Sequence, residues 1–214
     1  MAVVTDRDWV AWHTQYDEPG SELARRLDVV RHWIRAALDR SPPGALSVIS
    51  MVAGEGRDLI PVLASHPRRR DVTGCLVELN ARNAATARRA AVDAGLDAID
   101  IIEGDAAELD VYARYAPADL LLMCGLFGNV PEPDIQRSID YSIPLTKNGG
   151  TVIWTRGRHG KDRMPTISRW FRDAGYDEVY VSDPTYGFGV GVHRSTVDPP
   201  PMPRGVHAFT FVGH

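Results

Sequence analysis

Two glycines and two later carboxylates are the residues whose types and spacing suit a nucleoside. Gly54 and Gly56 stand in Ala53-Gly54-Glu55-Gly56, a turn of small residues. Without Cβ atoms, such a turn brings bare backbone N–H groups close to a ligand. Glu78 follows 24 residues after Gly54. Its carboxylate has acceptor capacity for both hydroxyls of a ribose, and would repel a 2′-phosphate. Asp105, in IIEGDAAEL, suits an adenine amino group, with the backbone of Ala106 meeting a ring nitrogen. Each acid also has a plainer reading. Glu78 sits just before a helix, where acids are favoured, and Asp105 fits as a helix N-cap. Taken singly, the plainer readings win. Placed at the ends of three successive parallel strands, the three signals converge on one crevice, because ligands sit beyond the carboxyl ends of such strands.

The elements needed to bring them together are legible. Residues 46–51 form a short β-branched apolar run, read as a buried strand. The glycine turn follows, then a helix over 57–65. Strands are expected at 72–79, 98–102, 118–124, 151–155 and 177–182. Helices are expected at 80–94, with Gly95 as its C-terminal cap, and at 106–115, 132–145 and 164–174. A seventh strand is assigned to 207–212. The connection 183–205 is rich in proline and glycine; within it, 187–194 (GFGVGVHR) offers an extra strand. The β-α alternation, ending in two strands with no helix between them, predicts a Rossmann-like α/β fold. Its seven-stranded sheet is mostly parallel, with strand 7 antiparallel and helices on both faces.

Before the first strand, Trp9, Trp12, His13 and Tyr16 recur at spacings of three and four, and Leu23, Leu27, Val30 and Ile34 form one stripe of a second helix. The whole chain, 1–214, reads as a single domain: an N-terminal helical lid over 1–44 and an α/β core over 45–214.

Composition bounds the function. The 214 residues are 44% hydrophobic and 24% charged, with a net charge of −4. That suits one globular core. The absence of a basic tract argues against nucleic acid as partner. No apolar run approaches the roughly 18 residues of a membrane helix, and the N-terminus lacks the pattern of a signal peptide. Cys75 and Cys124 sit in apolar runs as buried free thiols. A cytoplasmic location is the expectation. The His, Asp and Glu residues show no metal-ligand spacing, so no metal is expected.

With these motifs in place, the chain resembles the class I S-adenosylmethionine-dependent methyltransferases from about Leu46 to Val212. Its N-terminal segment is similar to that of small actinobacterial-type members. The family's glycine motif corresponds to Ser50 through Gly56, its ribose acid to Glu78, its adenine-side acid to Asp105, and its post-strand-four segment to Cys124-Gly125-Leu126-Phe127. Two positions depart: the family usually has an acid where Ser50 stands and a glycine where Val52 stands. The antiparallel strand inserted between strands five and six is the family's signature.

The resemblance implies S-adenosylmethionine as cofactor, S-adenosylhomocysteine as product and a small-molecule acceptor. It implies cofactor contacts from Tyr16, Ala53, Gly54, Gly56, Glu78, Leu79, Asp105, Ala106, Cys124, Gly125 and Phe127. His13 is the candidate base, with Trp9 and Trp12 walling the acceptor and His193 at its lip. The alternative is a non-catalytic S-adenosylmethionine- or nucleotide-binding protein acting through a partner. A dinucleotide dehydrogenase fits less well, because the third glycine of G-x-G-x-x-G would fall on Leu59.

Overall fold

A computed structural model describes residues 18 and 20–212. The expectations for Trp9, Trp12, His13 and Tyr16 therefore lie outside the described residues.

Helix α1 (Glu22–Arg40) starts at Ser21, whose hydroxyl accepts from the Ala24 N–H at 3.0 Å, closing one of the orphan donors of the first turn. It buries Val30, Ile34, Ala37 and Leu38. A fully buried side chain of Val, Leu or Ile size contributes about 1.5–3 kcal/mol, so this stripe holds the helix to the sheet. The upper stripe residues, Leu23 and Leu27, are only half-buried.

The chain then alternates: β1 (Leu46–Ser50), α2 (Ile60–Ser65), β2 (Val72–Glu78), α3 (Ala81–Asp93), β3 (Ile99–Glu103), a 3-10 turn (Leu109–Tyr112), β4 (Ala118–Met123), α4 (Glu132–Leu145), β5 (Thr146–Gly157), α5 (Met164–Asp173), β6 (Tyr176–Val181) and β7 (Phe188–Ser195). The seven strands lie in the order β3-β2-β1-β4-β5-β7-β6. β7 runs antiparallel to both β5 and β6, and the β1–β5 pairings are parallel. Two cores flank the sheet. One packs α1, α2 and α3 against it through residues such as Ile34, Leu63 and Ala87; the other packs α4, α5 and the 3-10 turn through Tyr112, Ile139 and Phe171.

The order of strands is as expected, but the seventh strand is a different stretch of chain. Residues 188–195 fill that place, and 207–212 do not join the sheet. The reason is in the glycines of GFGVGVHR. A Cβ on Gly189 would come within 2.1 Å of the Met164 sulfur, and one on Gly191 within 2.2 Å of the Trp154 indole. Glycine is there to seat large neighbours on a buried strand, a use of strand glycine that mimics a loop composition. The tail instead lies across the α4 face. His207 forms an isolated antiparallel bridge with Glu108, the Ala208 N–H donates to the Ala107 carbonyl at 2.8 Å, and Phe209 is fully buried. Its apolar pattern reported burial correctly, but not the pairing partner.

Among the three consecutive arginines, Arg68 is a staple. Its guanidinium donates to the carbonyls of Leu38, Ser41, Pro42 and Gly44, tying the end of α1 to the start of β1. Arg69 and Arg70 are exposed.

Candidate active site

The carboxyl ends of β1, β2, β3 and β4 form the crevice. After β1 the chain is pinned on both sides: the Met51 N–H donates to the Leu122 carbonyl and the Ala53 N–H to the Val77 carbonyl, both at 2.9 Å. Between them Val52 has φ +47°. This left-handed conformation costs a residue other than glycine roughly 1–2 kcal/mol, and suits a β-branched one least. The loop thus keeps the glycine shape even where valine stands.

Gly54 and Gly56 also have positive φ, +57° and +70°, but for different ends. A Cβ on Gly56 would lie 2.5 Å from Ile60 and 2.8 Å from Leu76, so that glycine lets α2 close onto β2. A Cβ on Gly54 would meet nothing within 4 Å; it would project into the crevice. From α1, Arg31 donates Nε and Nη2 to the Arg57 carbonyl at 2.9 and 2.7 Å, fixing the far end of the turn.

Glu78 meets the glycine turn directly. Its Oε2 accepts from the Gly54 N–H at 2.8 Å, and Oε1 from the Asn80 N–H at 2.9 Å and the Asn83 amide at 3.4 Å. A carboxylate has about four lone-pair sites, so one remains for a ligand hydroxyl. Leu79 beside it is 57% exposed, an apolar edge at the mouth of the crevice. The Asp105 carboxylate accepts from the Ala107 N–H at 2.9 Å and faces His207 Nε2 at 3.2 Å. Asp105, Glu108 and His207 place one ligand atom each within 4.8 Å of one another. This grouping crosses the sequence from 105 to 207, so no local spacing announced it.

On the β4 side, the Gly125 N–H donates to Thr155 Oγ1 at 2.9 Å, and the Asn129 amide donates to the Gly125 carbonyl at 2.6 Å. Cys124 is half-buried, with burial raising its thiol pKa well above the ordinary value. The Cys75 thiol is pushed up to about 12 by burial and by the Asp100 charge. Neither supplies a thiolate near neutral pH.

Two expected site residues lie elsewhere. Phe127 is fully buried, 5.7 Å from the Trp154 ring and 6.3 Å from Phe171. The turn after β4 directs it down into the α4–α5 core. His193 is on β7, fully buried rather than at a lip. The Trp154 indole N–H donates to its Nδ1 at 3.1 Å, while Nε2 faces Ser168 Oγ at 3.1 Å. Burial pushes its pKa down to about 4.

Sequence reasoning missed Asp58. It keeps some exposed surface but is enclosed on most sides, and the desolvation raises its carboxyl pKa. The Leu59 N–H and the Arg31 and Arg26 charges pull the other way. Asp58 also raises the Cys124 thiol, which places its charge towards the end of β4. An acid just after a glycine turn reads as a helix-end residue, which hid it.

Ser50 carries the decisive detail. It ends β1, is 1% exposed, and its hydroxyl has no hydrogen-bond partner among the described residues. A buried, unpaired hydroxyl costs about 1–3 kcal/mol. Ser50→Ala is therefore expected to raise the ligand-free melting temperature. A fall in melting temperature would mean that the hydroxyl has a protein partner.

No protein-family model matches the sequence, and no curated protein matches it either. Solved structures do match. An O-methyltransferase family protein from Burkholderia thailandensis superposes with a TM-score of 0.67 at 19% identity, covering 89% of this chain; the chain spans 61% of that protein. Magnesium protoporphyrin IX methyltransferase from Synechocystis PCC 6803, solved with bound SAM and with bound SAH, matches at TM-score 0.66 with SAM and 12% identity, covering 89% of this chain and 92% of its own. This is the class I methyltransferase fold. The fold also carries other chemistry: the [4+2]-cyclase SpnF matches at TM-score 0.58 and 16% identity, over 78% of this chain and 82% of its own. Identities this low speak for the fold, so the activity must be argued from the site. No helix among the described residues is long and apolar enough to cross a membrane.

Proposed function

We propose that this chain is an S-adenosylmethionine-dependent methyltransferase acting on a small molecule. The observation that carries this reading is the Glu78 carboxylate bound to the Gly54 N–H at 2.8 Å. It joins the acid that ends β2 to the glycine turn after β1, an arrangement that suits one adenosine. The residues present fit the cofactor. Glu78 keeps acceptor capacity for the ribose, the Gly54 backbone is open, and the unpaired Ser50 hydroxyl lies at the end of β1, where the methionine end would lie.

Bound S-adenosylmethionine supplies an activated methyl on a sulfonium. The protein's share is alignment and exclusion of water. Val52 and the two pinned N–H groups around it set the height of the turn, Arg31 holds its far end, and Gly125 lines the β4 side. If the acceptor loses a proton, His13 is the candidate base. With Trp9 and Trp12 on the same segment, it keeps the role that the sequence suggests.

Calorimetry tests the reading. S-adenosylmethionine and S-adenosylhomocysteine should both bind and NAD should not. Heat from NAD alone would replace this reading with a dinucleotide one. Tight binding of both with no turnover across an acceptor library would favour a non-catalytic binder.

A further inference from the structure

Beyond the crevice, one cavity of about 200 Å3 opens between the first turns of α4 and α5 at the end of β5. Its walls combine cation and apolar surface. Arg156 and Arg163 enter it with Glu132, and Ile135, Val130 and Trp170 close the sides. The two arginines are not equivalent. Arg163 is already neutralised, its Nη2 lying 2.6 Å and its Nη1 3.2 Å from the two Glu132 oxygens. Arg156 has no carboxylate partner among the described residues; one N–H goes to the Phe127 carbonyl. A guanidinium has five donors in a fixed fork, so the bond to Phe127 leaves donors for a ligand. With one paired and one unpaired arginine, the cavity carries a net positive charge. Desolvation and the Arg163 charge disfavour the Arg156 cation while the Glu132 charge favours it; an incoming anion would offset the desolvation.

Two hydrogen bonds tie the chain beside the cavity to the end of β4. Thr155, next to Arg156, accepts from the Gly125 N–H, and Asn129, next to Val130, donates to the Gly125 carbonyl. Gly125 is thus one residue removed from both a cation and an apolar wall of the cavity. At about 200 Å3 the space is smaller than the roughly 300–1,000 Å3 of a drug-sized pocket. It suits one ring and one acidic group.

We propose that this cavity recognises the carboxylate of a small aromatic or apolar acid, with Arg156 as the fork that binds it, and that such an acid is the methyl acceptor. A planar guanidinium matches a carboxylate bidentately, and Val130, Ile135 and Trp170 line the space for the acid's apolar body. This rests on the methyl-transfer reading, but its test is separable from it.

The experiment uses the full chain saturated with S-adenosylhomocysteine and titrated with benzoate or benzamide, followed by calorimetry or ligand-observed NMR. Benzoate should bind at least tenfold more tightly than benzamide. Arg156→Ala should bring benzoate down to the benzamide level with S-adenosylhomocysteine affinity unchanged. Arg156→Lys, the milder change, should fall between, since an ammonium keeps the charge and loses the fork. Glu132→Gln, which frees Arg163, should strengthen benzoate. In turnover, a hydroxybenzoate should exceed its amide in kcat/KM by tenfold or more, and Arg156→Ala should erase that ratio. Equal binding of benzoate and benzamide, or equal turnover of acid and amide, would overturn the proposal. A chain that fails to bind S-adenosylhomocysteine would instead sink the methyl-transfer reading.

Discussion

Glu78→Ala is expected to weaken S-adenosylhomocysteine binding by about 1–3 kcal/mol, the scale of a lost charged hydrogen-bond acceptor, or roughly fivefold to over a hundredfold in Kd. Two effects add. The ribose loses its acceptor, and the Gly54 N–H loses the partner that holds it at 2.8 Å. They can be told apart with ligands. The affinity of adenosine should drop with the mutation, whereas 2′,3′-dideoxyadenosine, which has no hydroxyls for Glu78, should feel only the loosened turn. The difference of differences isolates the ribose contact. Glu78→Gln, which keeps one carbonyl oxygen, should lie between wild type and alanine. If both nucleosides lose equally, Glu78 serves the loop and not the ribose, and the adenosine has been placed wrongly.

Periodicity found what depends on local pattern. The β1 run, the glycine turn, the acid that ends β2 and the helix over Glu132–Leu145 are each encoded within a few neighbouring residues. What stayed hidden depends on contacts far along the chain. Nothing near Gly189 and Gly191 reveals that Met164 and Trp154 will occupy the space their missing Cβ atoms leave. Hence 187–194 reads as an extra strand within a loop-like connection, and the tail around Phe209 reads as the seventh strand of the sheet. Phe127 illustrates the same limit: its place after β4 suggested a ligand contact, but its side chain packs against Trp154 and Phe171. Arg31 and Arg156 are ordinary charged residues in sequence. Only the fold shows one reaching a carbonyl of the glycine turn and the other lining a cavity. Val52 could be flagged from sequence as a departure. Its positive φ shows the backbone keeping its path despite the side chain.

That fold also makes His193 an acid-sensitive point. The indole N–H of Trp154 is a donor only, so His193 Nδ1 must accept from it and the ring's proton sits on Nε2, facing Ser168 Oγ. Ser168 in turn donates to Glu178, which also pairs with Arg172. Protonating Nδ1 would set two donors against each other in the core. Burial is the main cause of the depressed pKa, about 4 against 6.5; Glu178 opposes it and Arg172 adds to it. The sign follows from linkage. Between these two values the unfolded chain binds a proton that the folded chain does not, so stability falls as pH drops from 6.5 towards 4 and levels off below. A displacement of this size corresponds to about 3 kcal/mol, a large share of the 5–15 kcal/mol that holds an ordinary domain. His193→Gln retains an acceptor for Trp154 and a donor for Ser168, and cannot titrate. Urea unfolding at a series of pH values should show a loss of stability across this window that is larger for the wild type than for the variant by about 3 kcal/mol, whatever the variant's stability at pH 7. Parallel losses in the two proteins would mean that His193 takes up its proton as readily in the folded core as in the unfolded chain, and the Trp154 N–H could not then be donating to its Nδ1.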